Sequence, residues 1–370
     1  MDTLHVTYLL DVEAGSEDSR AENIALEQTV EVPRSAICDA FVLNEIQGRV
    51  EEIVEAPEGG FLATIAYSAE TTALDPAQLI NVVFGNSSLY ADIQCVDIEL
   101  PTSVLVAMQG PQFGISGIRK AVGIYDRPLT CTAIKPMGLS PDALADLLRV
   151  FARAGIDVIK DDHGLADHRF CPFEQRVSAC LAAVEEVADA TGHHATYVPN
   201  LIGTPRNVFR QLAVVQDQGV RAVMVSPMLI GLPAFWELCH ERASVPVLAH
   251  PAFGGAQRIA PQTLFGKIFR LYGADAVIFV NFGSRFSTNK QICRELAEGL
   301  VAPWSGLHAS LPAPAGGIAL ENVGEVLDFY GPDTMMTVGG NLQVDPTTIP
   351  QRSREFADTV RRHFSNDGGH

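Results

Sequence analysis

The feature that most constrains this chain is a rhythm in its last two-thirds. Short apolar runs, rich in β-branched residues, alternate with longer amphipathic stretches that open on Pro, Ser, Thr or Asn. Strands are predicted over 129–135, 157–161, 195–200, 222–226, 245–250, 276–281, 308–312 and 334–338. Helices are predicted between and after them, over 141–154, 172–190, 205–218, 232–243, 261–272, 289–300, 321–329 and 349–364. Proline just inside a helix start and glycine just past its end (Gly155, Gly192, Gly219, Gly273, Gly331) are the expected punctuation. Eight such units in about 240 residues match a closed (β/α)8 barrel. The competing arrangement is an open doubly wound sheet; no Gly-x-Gly-x-x-Gly follows a strand, which weakens a dinucleotide-binding reading. Residues 1–125 read differently, with strands over 4–12 and 60–68 and a helix over 76–82. The expected organisation is a small α+β, ferredoxin-like domain over 1–125 followed by the barrel over 126–370.

Bulk properties narrow the chemistry. A formal net charge of −18 argues against nucleic acid or an anionic membrane as partner. It leaves room for a phosphorylated small molecule, because a few backbone amides suffice for an anion site. Seven scattered cysteines form neither a disulfide framework nor a metal cluster. The N-terminus lacks a basic stretch followed by an apolar run, and no stretch is apolar for long enough to cross a bilayer, so the cytoplasm is the expected location. The tail 365–370 is polar.

Barrel active sites lie at the carboxyl ends of the strands. The second strand ends in Lys160-Asp161-Asp162-His163-Gly164, the strongest local signal in the chain. Alternation sends Lys160 and Asp162 to one side and Asp161 to the other, and His163 follows Asp161 unless the strand geometry ends first. Hard divalent cations take oxygen ligands such as Asp162, and His163 can add a nitrogen. Lys160 becomes a ligand only if CO2 condenses with its neutral amine to give a carbamate. The first strand ends in Lys135-Pro136-Met137-Gly138 and the fifth in His250-Pro251. The sixth ends in Asn281-Phe282-Gly283-Ser284-Arg285. Glycine pairs after the last two strands, Gly316-Gly317 and Gly339-Gly340, stand where barrels bind phosphate through exposed amides.

Together these motifs resemble the ribulose-bisphosphate carboxylase (RuBisCO) large-chain family, and more closely its RuBisCO-like members. The resemblance runs from about residue 21 to the C-terminal helix. It is carried by Ala25-Leu26-Glu27-Gln28-Thr29-Val30, Val83-Phe84-Gly85-Asn86, Ile134-Lys135-Pro136, Ile159-Lys160-Asp161-Asp162, Ala315-Gly316-Gly317 and Val338-Gly339-Gly340. It implies that Lys160 is the carbamylated lysine, Asp162 a Mg2+ ligand, Lys135 the acid/base lysine and His250 an active-site histidine. It implies that Glu27 is lent to a neighbouring subunit's site, hence a homodimer or higher homo-oligomer.

The departures are equally informative. His163 replaces the third metal-binding carboxylate. Lys135-Pro136-Met137-Gly138 is one residue short and lacks the second lysine. Arg285 stands where the mobile loop's lysine should be. The grip on a second phosphate is replaced by Pro251, Ile278 and Ala315. The expected substrate therefore carries one phosphate, and ribulose-bisphosphate carboxylation is not expected. The leading expectation is decarboxylation of a β-keto sugar-acid phosphate such as 3-oxo-isoapionate 4-phosphate, through a metal-stabilised enediolate. The alternatives are hydrolysis or carboxyl transfer on the same substrate, and an enolase or isomerase of methionine salvage acting on a methylthio-pentulose phosphate. A non-enzymatic binding module comes last.

Overall fold

A computed structural model describes residues 2–286 and 288–364; the polar tail 365–370 lies outside the described residues. The N-terminal part is a four-stranded antiparallel sheet with helices Glu17–Glu27 and Pro76–Phe84. In chain order its strands are Thr3–Leu10, Arg49–Glu55, Phe61–Ser68 and Ile93–Glu99; across the sheet they run second, third, first, fourth, the ferredoxin-like order. Two of these strands and the helix Glu17–Glu27 are absent from the sequence reading. Arg49–Glu55 is an exposed edge carrying four charged side chains, which hides its β character while protecting the edge from mispairing. The helix buries only Ala21, Ile24 and Ala25, so its apolar stripe is thin.

The rest forms the barrel. Its parallel strands are Leu129–Ile134, Val158–Asp161, Thr196–Val198 continued by Asn200–Leu201, Val223–Val225, Val247–Ala249, Ala276–Val280, Leu311–Ala315 and Met335–Thr337. The third strand is interrupted at Pro199, which offers no N–H to the ladder. Its first piece pairs with the second strand and its second piece with the fourth, and the eighth strand pairs with the first, so the ring closes with eight strands. The seventh strand lies three residues later than expected, at Leu311–Ala315 rather than 308–312. Pro312 and Pro314 disguise it, because they alternate with Leu311, Ala313 and Ala315, and Leu311 and Ala313 fill the barrel interior.

A helix, Gly114–Val122, plugs the amino-terminal mouth. Its Ile118 and Val122 pack on the interior layer formed by Leu129, Val158, Met224 and Met335. Buried Asp275 fixes the start of this helix by accepting from the amides of Phe113 (2.7 Å) and Gly114 (2.6 Å). With one mouth closed, chemistry is left to the carboxyl-terminal face. No helix among the described residues is long and apolar enough to cross a membrane.

Candidate active site at the carboxyl end of the barrel

Register brings the predicted residues together. Ile134 pairs with Asp161, so the next residues, Lys135 and Asp162, leave their strands side by side. Lys135 Nζ lies 2.9 Å from Asp162 Oδ2. Burial pushes the Asp162 carboxyl up, but the hydrogen bond and charge of Lys135, the Gly164 amide and His163 together hold it below the usual carboxylate range.

Lys160 lies deeper, 4% exposed, with Nζ donating to the Asp161 carbonyl at 3.1 Å. Burial lowers its pKa, with Cys131 and Asp162 opposing and Lys135 adding to the fall. That is the direction that frees an amine to react with CO2.

Asp161 faces away from the site and is fully buried. It accepts from Arg176 Nε (3.1 Å), the Tyr197 hydroxyl (2.8 Å) and the Asn200 amide (3.0 Å). Asn200 Nδ2 in turn donates to the carbonyls of His163 (2.9 Å) and Leu165 (3.2 Å). The strand ends at Asp161, so strict alternation stops there and His163 swings back to the site side. Its Nδ1 lies 3.5 Å from Asp162 Oδ1, and its ring stacks on His250 with centroids 4.5 Å apart and planes 10° off parallel. Burial lowers the pKa of His163, with Asp162 opposing. Burial, then the charges of Lys160 and His163, hold His250 well below the ordinary histidine range. His250 is thus neutral near pH 7. Its Nδ1 accepts from the Ala252 amide at 3.2 Å, which leaves the proton on Nε2.

The glycine pairs face the same mouth. A Cβ on Gly339 would come within 3.9 Å of Lys135 Nζ. Gly317 has φ +70, and a Cβ there would stand 2.6–2.7 Å from the backbone of Gly283 and Ser284, so glycine is required for that close approach. Asn341 Nδ2 donates to the Ile318 carbonyl at 2.7 Å and ties the two loops together. Among the described residues the amides of Gly316, Gly317, Gly339 and Gly340 make no hydrogen bond within the protein, which leaves them free for an anion.

Arg285 lies on the sixth-strand loop with its guanidinium 4.9 Å from the Phe286 ring centroid. Glu27 is held by Asn86 Nδ2 at 3.0 Å and, among the described residues, makes no ion pair with the barrel. Among the described residues no three His, Cys, Asp or Glu side chains gather to hold a metal. Asp162 and His163 place two potential donor side chains side by side, with the Lys160 amine on the strand before them.

Sequence reasoning missed the Asp161–Arg176–Tyr197–Asn200 network and the buried Asn200 Oδ1 and Ser226 Oγ, which have no partner within the protein. Arg176 carried a signal. It lies on the stripe of its helix that also holds Phe173, Val177 and Cys180, and a charge on an apolar stripe needs a buried partner. Asn and Ser at strand ends read as ordinary loop starters.

Comparison with known proteins agrees with this architecture. The family profile described as ribulose bisphosphate carboxylase large chain, catalytic domain, matches residues 114–349. The chain is 45% identical to 5-methylthioribulose-1-phosphate isomerase of Rhodospirillum rubrum, over 97% of this chain and 96% of that one. It is 31% identical to 2,3-diketo-5-methylthiopentyl-1-phosphate enolase of Geobacillus thermodenitrificans, over 94% and 89%. Among solved structures, a RuBisCO-like protein from Rhodopseudomonas palustris superimposes with a TM-score of 0.90 at 40% identity, covering 100% of this chain and 99% of that one. The chain belongs to the RuBisCO large-chain family, among its RuBisCO-like proteins.

Proposed function

We propose that this protein is an isomerase of a methylthio-pentulose monophosphate that works through an enediolate. The observation that carries the reading is the likeness to 5-methylthioribulose-1-phosphate isomerase along nearly the whole of both chains. The relatives above bear isomerase and enolase names, so the decarboxylation favoured on sequence gives way to the reading held there as its alternative.

The amides of Gly316, Gly317, Gly339 and Gly340 bind the single phosphate. Lys135, beside Asp162, moves a proton from the carbon next to the ketone to the ketone carbon itself, while the hydroxyl proton on the first carbon passes to the oxygen on the second. Removal of a proton next to the carbonyl gives an enediolate, and its return to the neighbouring carbon shifts the carbonyl one position with no net oxidation. A divalent cation such as Mg2+, held by Asp162, His163 and Lys160 as its CO2-derived carbamate, would supply positive charge beside the ketone oxygen. The donor set fits such an ion only with the carbamate in place, and the burial-lowered pKa of Lys160 supports carbamylation. Neutral His250 presents Nε2–H, Ser226 offers an unpaired hydroxyl, and Arg285 flanks the mouth. In this reading Glu27, held by Asn86, is lent to the site of a second copy, so the reading includes at least a homodimer.

The test is a head-to-head incubation, with Mg2+ and bicarbonate, of 5-methylthioribulose 1-phosphate and a β-keto sugar-acid phosphate. Isomeric pentulose phosphates in the 31P spectrum of the first, with no CO2 from the second, are expected. The reverse pattern would return the assignment to decarboxylation.

A further inference from the structure

We propose that Phe253 is a specificity-determining residue, an apolar clamp on the substrate end opposite the phosphate. The inference rests on the isomerase reading and names the part of the site that would recognise the thioether. The strand that delivers His250 runs directly into a tight turn, in which the Gly254 amide donates to the Pro251 carbonyl at 2.9 Å. Phe253 takes the third position of that turn with φ +67 and ψ −4. This is the left-handed region, which type II turns normally give to glycine or asparagine. Its side chain is nevertheless 60% exposed. Backbone strain and hydration both disfavour a phenylalanine here, and strained residues of this kind gather at functional sites.

A Cβ on Gly254 would meet the Phe265 ring at 2.5 Å, so the turn is seated closely on the barrel wall. Its surroundings suit an uncharged guest. Pro251 opens the turn, and Ile278, 2% exposed, lies on the next strand one register step beyond the paired Ala249 and Val277. Neither side chain can hydrogen-bond a phosphate. A methylthio group is soft and polarizable, and sulfur packs favourably at the edge of an aromatic ring. Across the His163–His250 stack, Met137 lies against Gly164, whose added Cβ would be 2.6 Å from Met137 Cε, and provides a second apolar surface at the mouth.

The test compares wild type with Phe253→Gly and Phe253→Leu on 5-methylthioribulose 1-phosphate and on 5-deoxyribulose 1-phosphate, which lacks the thioether. Glycine suits the turn, so Phe253→Gly should fold with an unchanged or higher Tm. The expected result is a rise of about tenfold in the ratio of KM for the methylthio compound to KM for its analogue. Phe253→Leu should restore most of that ratio. Equal effects on both compounds, or none, would overturn the clamp while wild-type turnover keeps the isomerase reading intact. Loss of the oligomer in sedimentation of Phe253→Gly would assign the ring to a subunit contact instead. If wild type turns over neither compound, the isomerase reading falls and the clamp with it.

Discussion

Replacing Asp161 with Asn isolates one charge beneath the site. An asparagine oxygen can still accept from Arg176 Nε and the Asn200 amide, and its NH2 can donate to the Tyr197 hydroxyl, so the shape of the network survives. The charge opposite Arg176 does not. Both side chains are fully buried, so solvent screens little of the loss. Removing one partner of a buried ion pair costs about 3–5 kcal/mol, which in a barrel of this size lowers Tm by roughly 10 °C. Asn200 also anchors His163 and Leu165, so turnover should fall along with stability. Calorimetry of Asp161→Asn, Arg176→Met and the double variant measures the coupling. Removing both charges is often close to neutral, so the double variant should recover at least half of the single-variant loss. A Tm for Asp161→Asn within about 3 °C of wild type, or strictly additive losses, would show that the Asp161 and Arg176 charges do not stabilise each other.

Three further outcomes follow from the geometry. Lys135→Ala should lower kcat by about 10²–10⁴, the range of a lost acid/base group, with little change in Tm because the side chain is partly exposed; full turnover would remove Lys135 from the proton path. Gly317→Ala should raise KM for the phosphorylated substrate at least tenfold, since its Cβ collides with the Gly283–Ser284 backbone, whereas Gly324→Ala, on the helix Val323–Tyr330, brings its Cβ no closer than 3.8 Å to another side chain and should leave KM unchanged. His250 is held neutral in the folded state, so its contribution to stability is present above the unfolded pKa of about 6.5 and is lost as pH falls towards its lower folded value. Urea unfolding from pH 7 to pH 5 should show a loss from this group that sets in near pH 6.5 and steepens below it, towards a limit of about 1.4 kcal/mol per pH unit, absent in His250→Asn; identical pH slopes for the two proteins would contradict the assignment.

Much of this was legible in the sequence, for identifiable reasons. The barrel strands are apolar on both faces and the helices carry proline starts and glycine stops, so seven strands and most helices fall within a residue or two of expectation. Lys135, Asp162, His163 and His250 stand out in the sequence because charges and imidazoles are rare at the ends of apolar strands, and the fold gathers them at one mouth. The seventh strand was misplaced because its prolines look like loop residues. The edge strand Arg49–Glu55 was missed because its polar face is its protection. The Asp161 network leaves a trace in the sequence only at Arg176, because its four members lie on three different elements, and only the folded register brings them within 3.1 Å. The strain at Phe253 could not be read at all, since a left-handed residue leaves no trace in residue type when the residue is not glycine.

In the proposed reaction Lys135 and the Lys160–Asp162–His163 centre move a proton on the carbon skeleton of a methylthio-pentulose phosphate. The most direct test is NMR of 5-methylthioribulose 1-phosphate incubated in D2O with the enzyme, Mg2+ and bicarbonate. Deuterium on the carbon chain together with a shifted carbonyl is expected, both lost in Lys135→Ala and Lys160→Ala. An unlabelled, unchanged substrate under those conditions would contradict the proposed reaction.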